Sequence, residues 1–279
     1  MNQNSSPSER RPAKWIARVR PLFGIAALAG LVLNLGLIGR LVRQEQGHSR
    51  EHDFWTLCQP GSTPAERESA FRQLVMAGNQ EWRAAELRAL NLAGFTAPGA
   101  DLHAAVFLRT NLAGANLEGA NLSGCTFELG DLTGAKLNRA GLAEARFVQA
   151  ILKGAVFHRA NLSAGSIEQA KAEDADFSAA DLSDTDCLMA NLTRANLSGA
   201  NLSGAKMESA VLREANVLLA RFDGADLTDT DFTNANWWRA RGFTTRQLDV
   251  LKKKFVPNAD AAVALKEDYA RWSGEHVTH

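Results

Sequence analysis

The chain has 279 residues, and its 31 Lys and Arg are balanced by 31 Asp and Glu, so the net charge is zero. That balance argues against a general nucleic-acid binder, which needs a basic excess. Three cysteines are too few for a disulfide framework, and the length suits one sizeable domain with appendages.

Residues 1–20 form a basic tail with Arg10, Arg11, Lys14, Arg18 and Arg20. Residues 21–39 follow as a 19-residue run, Pro21 to Gly39, without a charge and with Asn34 as its one polar side chain. A run of that length can cross a bilayer, and it leads into Arg40 and Arg43 without a small-x-small cleavage site. The expectation is a transmembrane helix of a single-pass, bacterial inner-membrane type, with the lipid bilayer as partner of residues 21–39. Five basic residues precede the span, against Arg40, Arg43 and Arg50 soon after it. By the positive-inside rule the N-terminus is then cytoplasmic and the remainder periplasmic. Residues 40–62 read as a solvated linker. His48, His52 and Cys58 lie close together there, but they lack a fourth ligand and any paired cysteine spacing, so no metal site is expected.

Thr63-Pro64-Ala65-Glu66 opens a helix with two cues, a Thr-x-x-Glu capping box and proline at the first helical position. Phe71, Leu74 and Val75 supply its apolar face, and Gly78 suits its stop. A second short helix is expected from Gln80 to Arg88, with Trp82 and Leu87 inward. Residues 63–90 are thus read as an N-terminal helical segment.

From Ala100 to Trp237 the pattern runs in steps of five. Centres fall at Leu102, Phe107, Leu112, Leu117, Leu122 and onward to Trp237, in 28 consecutive windows without an insertion. Two residues before each centre is a small residue, alanine in all but six windows (Thr110, Cys125, Gly130, Gly165, Thr185 and Thr230). An odd period would throw alternate centres of a flat strand to the wrong face. On an α-helix, five residues advance about 140°, so the centres would spiral and form no stripe. A chain that turns at every repeat and keeps winding satisfies both constraints, which describes a solenoid with one continuous core.

The A-(D/N)-L-x-x consensus, explicit in ANLEGANLSG at 115–124, resembles the pentapeptide-repeat family. That resemblance implies a right-handed quadrilateral β-helix with four repeats per coil, an all-β solenoid of about seven coils over residues 91–240. At ordinary strand spacing such a rod is roughly 34 Å long. Leu90-Asn91-Leu92 already fits the frame, so a distorted first coil begins there. Residues 20 apart should stack. Wall one carries Phe107, Phe127, Phe147, Ile167, Cys187, Met207 and Leu227, wall two the Leu112 column, wall three the Leu117 column and wall four Leu102 and Leu122. Ala172 is the one undersized centre, and Phe177 in the same coil is placed to fill its space.

Cys125 and Cys187 fall at inward positions about three coils apart, near 14 Å, too far for a disulfide. Asn121, Asn161, Asn191, Asn196 and Asn201 each begin an N-x-Ser/Thr triplet that the repeat itself explains without glycosylation. Asp101, Asp131, Asp176, Asp181, Asp186, Asp226 and Asp231 occupy the same slot, where a short polar side chain bonds the turn backbone. Beyond Trp237, helices are expected with Leu248, Leu251 and Phe255 on one side, and then from about Ala259 to Trp272 with Ala262, Leu265, Tyr269 and Trp272 as a stripe. Residues 241–279 would form a C-terminal cap, as 63–90 would at the other end, since an open coil presents unpaired backbone groups. Leu218, Leu219 and Trp238 point outward nearby, and the expectation is that this tail covers them.

No nucleophile–base pair, glycine-rich phosphate loop or catalytic carboxylate constellation is present, so no enzyme, cofactor or small-molecule substrate is expected. The reading is a non-enzymatic, membrane-tethered scaffold for a protein partner. The alternative, implied by the family resemblance, is a DNA-mimic modulator of DNA gyrase or topoisomerase. Residues 100–240 hold 18 Asp and Glu against 12 Lys and Arg, an excess too small for a duplex mimic. Their densest stretch, 168–186, nominates Glu168, Glu173, Asp174 and Asp184 as a partner contact.

Overall fold

A computed structural model describes residues 63–76 and 87–276. The basic tail, the apolar run 21–39, the linker 40–62 and Cys58 lie outside the described residues, as does most of the expected helix from Gln80. Among the described residues no helix is long and apolar enough to cross a membrane.

The hydrogen bonds explain why five residues make one unit. In repeat 111–115, Asn111 N donates to Leu90 O in the coil before (2.8 Å), while Leu112 N and Gly114 N donate to Asp131 O (2.6 Å) and Thr133 O (2.8 Å) in the coil after. Ala115 N closes the turn onto Leu112 O at 2.9 Å. The one remaining donor, Ala113 N, is taken by the Asn111 side chain at 3.0 Å. Every backbone N–H of the unit is therefore satisfied, which a buried, tightly wound chain requires. The same side-chain bond recurs at Asp131, Asp176, Asp181, Asn191, Asn201 and Asp231, as expected for that slot. The residue two after each centre up to Phe232 is left-handed, with φ +66° at Gly114 but also +56° at Arg139.

Parallel bridges join residues 20 apart, from Asn91 with Asn111 to Arg221 with Arg241. Each wall contributes a single bridging residue, so no strands form among the described residues and the solenoid is built from isolated bridges and turns. The winding begins earlier than the sequence suggested. Leu87 N donates to Val106 O (2.8 Å) and Ala89 N to Leu108 O (2.9 Å), so Leu87 and Arg88 belong to a coil, not to a helix. The coil count rises to between seven and eight.

Inside, the columns stack as the register demands. Phe107, Phe127 and Phe147 lie ring over ring at 4.9 and 4.7 Å, and Phe157 lies over Phe177 at 4.7 Å. These centroid distances equal the coil spacing of about 4.8 Å, so the backbone pitch itself sets the stacking. Ala172 and Phe177 are both fully buried. Four of the six non-alanine inner positions are also explained. Thr110, Thr185 and Thr230 donate their hydroxyls to Leu87 O, Leu162 O and Met207 O, and Cys125 Sγ approaches Leu102 O at 3.0 Å. Each partner lies 23 residues back, so a small polar group here meets a carbonyl of the preceding coil and is not stranded.

Helix α1 (Pro64–Met76) starts with the expected capping box, since Thr63 N donates to Glu66 Oε2 at 2.8 Å and Glu66 N to Thr63 Oγ1 at 3.3 Å. Phe71 packs on Phe95 with centroids 5.0 Å apart. The first coil inverts the usual sizes, with Phe95 at the small position and Ala97 at the centre, and both are buried. At the far end Asn236 leaves the bridge pattern. A 3-10 turn spans Trp237–Arg239, and the Asn236 side chain accepts from Val217 N at 2.6 Å where a backbone carbonyl served before. Helices α2 (Thr245–Lys254) and α3 (Val263–His276) follow. Leu251 is buried, and Leu248, Phe255, Leu265, Tyr269 and Trp272 pack on the core. The α3 start differs from the expected Ala259; Ala262 stays exposed and Ala261 is the buried alanine.

Candidate functional site

With the centres and small positions inside, only three columns per wall reach solvent: the residue before each centre and the two after it. The first of these is largely bound to the rod. Asn236, Asn216 and Asn196 pass their amides down wall three, each Nδ2 donating to the preceding Oδ1 at 2.8, 3.1 and 3.1 Å, and the ladder ends on the Asp176 carboxylate. Four asparagines of the N-x-Ser/Thr triplets are engaged through Nδ2: Asn121 on Asp101, Asn191 on Glu173, Asn196 on Asp176 and Asn201 on Asp181. The side chains that stay clear of the turn bonds therefore lie mainly in the two columns after each centre.

The four nominated carboxylates sit on three walls of neighbouring coils. Glu168 follows a wall-one centre, Glu173 and Asp174 follow Ala172 on wall two, and Asp184 follows Leu182 on wall four. The stretch 168–186 thus forms a belt around the rod, and only Glu173 and Asp174 are brought together. Most of the belt is occupied. Asp174 receives Arg194 in a two-pronged pair, Nε to Oδ1 at 2.7 Å and Nη2 to Oδ2 at 2.9 Å. That pair holds the Asp174 carboxyl below its ordinary range and pushes the Arg194 guanidinium up. Glu173 accepts from Asn191 at 2.7 Å, and Glu168 from Gln169 at 3.3 Å. Asp184 alone of the four has no polar partner; its Oδ1 lies over Gly204, 2.3 Å from where a side-chain carbon would stand.

The expected cover of Leu218, Leu219 and Trp238 divides. Trp238 is buried under α3, its Nε1 on Asp268 Oδ2 at 2.8 Å and its ring 4.9 Å from Tyr269. Leu218 and Leu219 stay open, at 41% and 51% exposure, because α3 ends its contact one coil further on. Their exposure was not readable from the repeat, which places Leu218 in the same slot as the covered Trp238. The two thiols among the described residues offer no surface chemistry. Cys125 and Cys187 are unpaired and buried, and burial pushes Cys125 up to about 12 and Cys187 higher still. His158 Nδ1 lies 2.8 Å from Ser178 Oγ, one coil on. Among the described residues no three His, Cys, Asp or Glu gather as a metal site.

A four-walled winding of five-residue units, with every inward position filled and its outward side chains in columns, is a repeat solenoid in class. The sequence model described as Pentapeptide repeats matches in eight copies over residues 85–124, 131–169, 166–199, 190–229 and 220–241, more than half of the chain. The chain belongs to that family, whose fold is the right-handed quadrilateral β-helix. No curated protein matches it in sequence. Among solved structures it is similar to HetL, a pentapeptide repeat protein involved in heterocyst differentiation regulation from the cyanobacterium Nostoc. That match has 27% identity, covers 60% of this chain and 95% of the other, and has a TM-score of 0.20. A pentapeptide repeat protein from the Arabidopsis thaliana thylakoid lumen matches at 28% identity over 52% and 84% of the two chains, TM-score 0.20. Full-length QnrB1, a plasmid-mediated fluoroquinolone resistance protein, matches at 17% identity over 61% and 98%, TM-score 0.37.

Proposed function

We propose that this protein is a non-enzymatic, membrane-tethered scaffold whose rod holds a protein partner. The tether is the apolar run 21–39, and the positive-inside balance supports a periplasmic rod. The observation that carries the scaffold reading is the division of labour within each repeat. Two positions fill the core, one ties the turn, and two are left facing solvent in straight columns at coil spacing. A rigid array of that kind suits recognition without chemistry.

The charge distribution favours a scaffold over a duplex mimic. A mimic needs rows of unneutralised carboxylates, whereas here Asp174, Asp231 and Glu128 each face an arginine at 2.6–2.8 Å. Within the acidic belt Asp184 supplies the free carboxylate for a contact. The test is a crosslinking pull-down of the full-length protein from its native membrane, with alkaline carbonate extraction beside it. An envelope protein in the captured fraction supports the scaffold, and DNA gyrase in its place would return the mimic. Release of the protein by carbonate would remove the tether.

A further inference from the structure

Wall three differs from the others along its length. Arg139 and Arg159 stand one coil apart in the same outward column, both left-handed at φ 56° and 57°. The coil arginines Arg146, Arg194, Arg213 and Arg221 each hold a carboxylate. Among the described residues Arg139 and Arg159 hold none, and both are exposed; Arg109 on wall one also holds none, but Leu129 follows it in its column, so of these three only Arg139 and Arg159 stack. Stacked like charges repel. A stacked pair of like charges with no internal contact to offset it points to a group outside the chain. Lys136, exposed on the same wall, adds to the positive end, and His158 stands beside Arg159 with its Nδ1 2.8 Å from Ser178 Oγ.

The next two coils of this wall present only Ser178, Ala179, Ser198 and Gly199, a low floor. Asp176, the carboxylate bordering it, is already engaged by Ser178 N at 2.9 Å and Asn196 Nδ2 at 3.1 Å. Beyond the floor stand the exposed Leu218 and Leu219, and then the wall is closed by Trp238 under α3. Positive end, low floor and apolar end thus lie in one line.

We infer that wall three is the docking strip for a partner segment that is acidic at one end and apolar at the other. Arg139 and Arg159 take its carboxylates, and Leu218 and Leu219 take its apolar side chain. Three to four coils separate the two ends, about 14–19 Å, which an extended chain spans in roughly four to six residues. This rests on the scaffold reading and names its partner's chemistry. A purely anionic ligand would leave the leucines without a role, and a purely apolar one would leave the arginines without one.

The test is crosslinking capture by the full-length protein from its native membrane, with the captured segment mapped by peptide mass spectrometry. Two variants are compared with wild type. One is R139G with R159G, which removes the charges and relieves both left-handed turns, so it folds. The other is L218S with L219G. The expected result is that both variants lose the same protein at least tenfold while keeping their melting temperature. The mapped segment should carry Asp or Glu four to six residues from an apolar residue. Retention of that protein by either variant, or a segment lacking the pattern, overturns the strip and leaves the scaffold standing. Binding of phosphatidylglycerol vesicles that depends on Arg139 and Arg159, with no protein lost, also overturns it. Capture of no protein by wild type overturns the scaffold reading, and the strip with it.

Discussion

Trp238 and Asp268 meet across the end of the rod, indole Nε1 to carboxylate Oδ2 at 2.8 Å. Arg239 donates to the same carboxylate through Nε at 2.9 Å and through Nη2. Trp237 Nε1 ties to Phe255 O at 2.8 Å, so the last coil is fastened to both C-terminal helices. Arg239 first, and Trp238 after it, hold Asp268 down at about 2. A carboxylate depressed in the folded state contributes stability above its ordinary range, and that contribution is lost as pH falls through the folded value. Asp268→Asn should therefore lower stability by about 1–2 kcal/mol at neutral pH. Thermal melts should show the gap between wild type and variant narrowing between about pH 4 and pH 2. A gap independent of pH would mean that the carboxylate charge plays no part in the join.

The rod was legible in the sequence because period five admits few solutions, and because Asn or Asp, where it precedes a centre, has one backbone donor to satisfy. What remained hidden lies where the register breaks or where neighbours 20 residues apart decide the outcome. Phe243 stacks on Phe222 at 5.0 Å although the five-residue frame would put Gly242 there. Gly242 has φ +84°, and a side-chain carbon on it would come within 2.5 Å of Asp223 N, so the chain takes one extra step before the ring returns to the column. The candidate contact was only partly legible for the same reason. Asp174 and Asp184 look alike in sequence, and only coil stacking reveals that Arg194 lies against one and Gly204 beneath the other.

That distinction gives an interaction prediction. Asp184→Lys should weaken partner capture while leaving the melting temperature within a degree or two, because the group bonds nothing in the rod. Asp174→Lys places a cation against Arg194, so it should lower the melting temperature as well. Parallel pull-downs and melts separate the two effects. If Asp184→Lys captures as wild type does, the acidic belt has no part in binding.

The left-handed turns predict a gain. Ala164 and Ala179 hold φ 55° and 54° and contribute no side-chain bond. Glycine reaches this conformation freely, while alanine does so at a cost of about 1 kcal/mol, partly offset by the larger unfolded-state entropy of glycine. Ala164→Gly should raise stability by up to about 0.5 kcal/mol, with Ala179→Gly adding a similar amount because the sites are independent. Denaturant titration of the single and double variants reads this directly. A loss of stability in both would show that the turns are not strained.

The opposite outcome is expected at Gly165, where the repeat itself is a misleading guide. Alanine fills this inner slot in 22 of the 28 windows, so Gly165→Ala looks like a stabilising return to consensus. The backbone here has closed in, however, and a side-chain carbon would stand 2.7 Å from Ala145 O and 2.9 Å from Leu162 O. Both oxygens are fixed by ladder bonds, Ala145 O receiving Ser166 N at 2.9 Å and Leu162 O receiving Gly165 N at 3.1 Å. Neither can retreat without lengthening a bond between coils or within the turn. Gly165→Ala should therefore cost about 1–3 kcal/mol, the range for overpacking a close-packed interior. Gly130→Ala, with its nearest oxygens at 3.0 and 3.2 Å, should cost less, and the two variants compared in one denaturant series test the geometry. Equal stability of Gly165→Ala and wild type would mean that this coil relaxes more easily than its ladder implies.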